Sequence, residues 1–93
     1  MKYIITLAAS AATAEEMRED PKQMGKVLKE LIEQIKPEAI YFSTIRRLIF
    51  MVANINDPHV ELRNAFDGLS RFGETTIDPV SSLEEFSRYM AQQ

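Results

Sequence analysis

The chain has 93 residues, enough for one domain around one modest core. Hydrophobic residues make up 45% and charged residues 27%, the balance of an ordinary globular protein, and the net charge of −3 argues against a chain built mainly to grip nucleic acid or an anionic membrane. With no cysteine there is no disulfide, thiolate metal site or cysteine nucleophile, and one histidine, His59, excludes a histidine-built zinc site within one chain.

Lys2–Ala8 opens the chain. Tyr3-Ile4-Ile5-Thr6-Leu7 is rich in strand formers and reads as a buried first strand. The same stretch, followed by Ala12-Thr13-Ala14 before Glu15, also has the outline of a signal peptide. The strand is preferred, because only Lys2 precedes the apolar run and cleavage would strip the sheet of a central strand. A cytoplasmic protein is the matching expectation, and no stretch approaches the ~20 apolar residues of a membrane span.

Residues Ala9–Glu19 read as a loop or irregular helical turn, with Thr13 and Glu16 spaced as a capping box. The main helix starts at Asp20-Pro21, with aspartate as N-cap and proline at the first helical position. Met24, Val27, Leu28, Leu31, Ile32 and Ile35 form its apolar face, and Lys36-Pro37 ends it. Strand two covers about Ala39–Thr44 and strand three about Arg47–Ile55, joined by a tight connection near Ile45-Arg46. In strand three Leu48, Phe50 and Val52 point one way, and Ile49, Met51, Ala53 and Ile55 the other. Both sets are apolar, the pattern of a strand buried on both faces.

Asn56-Asp57-Pro58 signals a second helix running to about Phe72, with Leu62, Ala65, Phe66 and Leu69 inward and Gly73 as its stop. Strand four, about Glu74–Val80, is polar and holds Pro79, which confines it to a sheet edge. Ser82 and Glu85 are spaced as a capping box for a closing helix carrying Phe86, Tyr89 and Met90.

This order predicts an α+β fold: a ferredoxin-like βαββαβ sandwich with a short C-terminal helix, spanning residues 1–93 as one domain. The expected strand order is 4-1-3-2, with both long helices on one face. The other face of strand three then needs a cover. A second copy of the same sheet, in a dimeric α+β barrel, is the expected one.

Several residues invite a functional reading. His59, near the start of the second helix, could act as a general base, with Arg63 one turn on or Tyr41 helping. An exposed first-turn histidine is the preferred alternative. Asn54 and Asn56 at the end of strand three, with Tyr3 and Tyr41 on strands one and two, could furnish polar groups of a cavity between sheet and helices. Arg46 and Arg47 could hold an anion, but charge at a hairpin tip also serves solubility. The acidic cluster Glu15, Glu16, Glu19 and Asp20 lacks calcium-loop spacing, so no metal is expected. An RNA-recognition motif would need a glycine and spaced aromatics in strand three. Arg47–Ala53 has one aromatic and no glycine, so nucleic acid is rejected as a partner.

Residues Ile40–Val80 carry a hairpin, an apolar third strand, the Asn56-Asp57-Pro58 helix start and the Thr75–Val80 strand. In these features the chain resembles a family of small uncharacterised bacterial and archaeal proteins with a ferredoxin-like fold. The resemblance implies a dimeric α+β barrel. Related barrels include monooxygenases, isomerases, haem enzymes and proteins without known activity, and this chain carries none of the enzymes' catalytic motifs. The expectation is a homodimeric, non-enzymatic protein without a cofactor that binds a small molecule as sensor, carrier or accessory subunit. The alternative is a cofactor-free enzyme of proton-transfer or isomerase type with His59 as base.

Overall fold

The computed structural model describes residues 1–43 and 45–92. In chain order these form β1 (Lys2–Ala9), α1 (Ala11–Glu19), α2 (Pro21–Ile35), β2 (Ala39–Ser43), β3 (Leu48–Asn54), α3 (Pro58–Leu69), β4 (Gly73–Val80) and α4 (Leu83–Ala91). The protein is α+β. Its four strands make one antiparallel sheet in the order β2-β3-β1-β4, which reads 4-1-3-2 from the opposite edge. The architecture is compatible with a ferredoxin-like sandwich.

The period-two alternation of the central strands decides the layering. Ile5 and Leu7 of β1 and Ile49, Met51 and Ala53 of β3 are buried on one face. There they meet Ala65 and Leu69 of α3 and the apolar stripe of α2. Ile5, Leu7, Met51 and Leu69 are the largest fully buried side chains. Each contributes about 1.5–3 kcal/mol relative to exposure. The other face carries Ile4, Thr6, Leu48, Phe50 and Val52, all half-buried.

Capping sets where the helices begin. Asp20 accepts from the Gln23 amide at 3.3 Å, and Pro21 occupies the first turn of α2. Lys36 closes α2 in the left-handed conformation, φ 54°. α3 starts after Asp57, whose side chain makes no capping bond. Glu61 instead reaches back, its Oε2 accepting from the Asn56 amide at 3.2 Å.

Five local expectations need correction. Ala11–Glu19 is a regular nine-residue helix rather than a loop or irregular turn, and its cap is not Thr13 but Ser10, which accepts from the Thr13 amide at 3.1 Å. α3 ends at Leu69 rather than Phe72. The Phe72 amide then donates to the Leu69 carbonyl at 2.9 Å in a closing turn, which buries the Phe72 ring. Gly73 is the first residue of β4 and not a helix stop. It lies opposite Ala9, where a Cβ would collide with the Ala8 carbonyl. Phe66 is 46% exposed, because α3 turns the narrower strip of Ala65 and Leu69 to the core. β3 itself is shorter at both ends than Arg47–Ile55: Arg47 takes a left-handed turn conformation, and Ile55 lies buried just beyond the strand. The expected end of strand two at Thr44 lies outside the described residues.

Candidate functional site

The last turn of α2, the end of β3 and the first half of α3 converge on a cavity of about 350 Å³. Gln34 and Lys36 come from α2 and its cap, Asn54 and Asn56 from the strand end, and Glu61 and Asn64 from α3. Leu31, Ile35, Ile55 and Ala65 form its apolar floor. Glu61 is held by the Asn56 amide, and Asn54 Oδ1 accepts from the Met1 nitrogen at 3.2 Å. The lining therefore offers three asparagine amides, a glutamine amide, one ammonium and one carboxylate. Such a set can both donate to and accept from a small polar molecule. Lys36 and Glu61 are the ionisable groups of this lining, which holds no serine, cysteine, histidine or tyrosine.

The anticipated site residues do not gather in one place. Asn54 and Asn56 line this cavity. Tyr3 is half-buried on the helix-covered face, opposite Ala53 and Pro79, and packs against the core. His59 is exposed in the first turn of α3. Arg63 is exposed too, 3.9 Å from Asp67 one turn further on, a surface pair of little energetic weight. Tyr41 pairs with Phe50, so it stands on the open face, across the sheet from α3 and His59. Gln34, Lys36, Glu61 and Asn64 had no motif to mark them, since they approach each other only through the packing of α2 beside α3. The one available hint was the density of asparagines around β3 and α3.

The open face of the sheet is a second feature. Register places Tyr41, Phe50, Thr6 and Thr76 in one row, and Ala39, Val52, Ile4 and Asp78 in the next. The third row is Ser43, Leu48, Ala8 and Glu74. The surface is thus apolar over β3 and β1 and turns polar at β4. Tyr41 is 63% exposed at the other edge.

Beyond the sheet, α4 begins with a complete capping box. Ser82 Oγ accepts from the Glu85 amide at 3.1 Å, and Glu85 Oε1 accepts from the Ser82 amide at 3.3 Å. The Ser82 amide is the main reason the Glu85 carboxyl sits below its ordinary pKa, with the Ser82 hydroxyl adding to it. Every residue from Ser81 to Gln92 is exposed. Among the described residues no helix is long and apolar enough to cross a membrane, and no group of three or more metal-ligating side chains forms.

No family model matches the chain, and no curated protein matches it as a relative.

Proposed function

We propose that the chain works as a homodimeric, non-catalytic binding protein for a small polar molecule, as a sensor, carrier or accessory subunit. The observation that carries the binding reading is the cavity between α2 and α3, with amides from three separate elements turned onto one volume. A ligand with both donors and acceptors suits this lining. The dimer reading draws support from the open sheet face, where Leu48, Phe50, Val52 and Ile4 form a continuous apolar surface. A second copy of the same face covers it with two-fold symmetry. A cytoplasmic setting goes with this reading. It is supported by Lys2–Ala9, the region a signal peptidase would remove, being a central strand.

The test has two parts. Sedimentation of the wild type should give a dimer at micromolar concentration, and Phe50→Asp should give a folded monomer. A thermal-shift screen against polar metabolites should find a compound that stabilises the wild type and loses its effect in Asn64→Ala and Lys36→Ala. A compound that stabilises all three chains equally would move the site elsewhere, and a wild type that stays monomeric would remove the dimer.

A further inference from the structure

We propose that the chain holds a second binding site, under α1, for a small carboxylic acid carrying one apolar group the size of a single ring. The site lies toward the start of α2, away from the cavity between the end of α2 and α3, and does not depend on the reading above.

Two adjoining cavities make the site. The inner one, about 70 Å³, lies between α1, α2 and the sheet. Its walls are Leu7 and Ile49 of the central strands, Met24 and Leu28 of α2, Met17 of α1 and the buried Phe72. Thr13 is the one polar residue of this lining, and its hydroxyl already donates to the Phe72 carbonyl at 2.7 Å. A water placed here would find too few partners, whereas an apolar group loses nothing. At about 10–15 Å³ for each water-sized sphere, the volume takes roughly five or six heavy atoms. Met17 and Met24 can shift their side chains to fit such a group. A long acyl chain exceeds the space.

The outer cavity, about 320 Å³, shares Thr13, Met24 and Phe72 with the inner one. It adds polar groups: Ser10 and Glu16 from the side of α1, Gln23 from the first turn of α2, and Arg71 from the turn before β4. Ser10 is engaged with Thr13, as its acceptor at the backbone and its donor at the hydroxyl. Gln23 bonds Asp20 through its backbone amide, which leaves its side chain for a ligand. Arg71 joins no ion pair among the described residues. Its guanidinium lies 5.2 Å from the centroid of the Phe72 ring. The cation thus rests on the same residue that walls the inner cavity.

This juxtaposition carries the proposal: a positive fork at the rim of an apolar volume. A carboxylate takes two N–H donors of Arg71 side by side, and the apolar group behind it enters between Phe72 and the methionines. Glu16 is the one acidic group of the rim and opposes an anion. Its removal therefore gives the test a sign opposite to that of Arg71.

The test titrates the full chain with phenylacetate and follows the backbone amide resonances. Those of Ala14, Met17 and Phe72 should shift together, and hexanoate should reproduce the pattern. Acetate, which lacks the apolar group, should not, and phenethylamine should bind less tightly. Arg71→Gln should weaken phenylacetate binding about fivefold, and Glu16→Gln should tighten it about twofold. Ala14→Leu fills the inner cavity from α1 and should abolish binding. Arg71→Gln changes an exposed side chain, so its result stands even where Ala14→Leu does not fold. No shift at these residues with millimolar phenylacetate would overturn the site. Equal binding of phenethylamine, or unchanged affinity in Arg71→Gln, would overturn the acid. Shifts confined to Asn54, Glu61 and Asn64 would put phenylacetate in the cavity beside α3 and overturn the second site.

Discussion

Thr13 Oγ1 donates to the carbonyl of Phe72 at 2.7 Å, and this bond fastens α1 to the turn between α3 and β4. The Ser10 amide reaches the same carbonyl at 2.9 Å. α1 has no buried residue of its own, so these polar contacts carry much of its attachment. Thr13→Val keeps the shape and removes the donor. It should lower stability by about 1 kcal/mol, with faster exchange of the α1 amides, as followed by denaturant melts and hydrogen exchange. Unchanged exchange in α1 would show that the bond does not hold the helix.

Thr75 presents the reverse case. It lies on the core face of β4, opposite Leu7, and its hydroxyl is buried without a partner among the described residues. Thr75→Val removes that polar atom at nearly constant volume. The variant should be more stable, by roughly 1 kcal/mol. Equal or lower stability in a urea melt would mean that the hydroxyl has a partner in solution.

Gly73 and Gly25 should respond to alanine with opposite signs. A Cβ at Gly73 would strike the Ala8 carbonyl, which belongs to the β1 backbone and cannot swing aside. Gly73→Ala should cost about 1–3 kcal/mol or more. Gly25 sits within α2 with nothing within 4 Å of an added Cβ. Gly25→Ala should stabilise by about 0.5–1 kcal/mol. Thermal melts of the two variants decide both at once.

The capping box of α4 should depend on pH. The Ser82 amide favours the ionised Glu85 carboxyl and depresses its pKa. The bond is therefore fully present above the ordinary glutamate value, about 4.3, and is lost as pH falls through the lower folded-state value. The Ser82 amide resonance should follow this titration, with a midpoint below that of an ordinary glutamate. A midpoint at or above the ordinary value would show that the box is open.

Much of the fold was legible because its signals are local. The alternating apolar sets of Leu48–Ala53 announce a central strand, and Asp20-Pro21 and Ser82 with Glu85 mark helix starts by capping chemistry that needs no tertiary partner. α1 was harder to see. Its sequence has no apolar stripe, and Thr13 with Glu16 drew attention away from Ser10, the residue that caps it. Phe66 looked inward because helical periodicity fixes a face but not its width. Only part of the cavity was visible: Asn54 and Asn56 could be named from the strand end, but Lys36 and Asn64 meet there only after α2 has docked beside α3.

β1 pairs on one side with β3 and on the other with β4, so that Lys2 meets Val80 across nearly the whole length of chain. β1 thus waits for β4, which follows it by some seventy residues, before both its edges are satisfied. Ile5 and Leu7 stay without their final neighbours until Ile77 has emerged. Closing so long a loop comes before the contacts that reward it, which places the sheet among the slower-folding topologies of its size. During synthesis the helices can form early, but the core between them and the sheet is completed only once β4 has emerged.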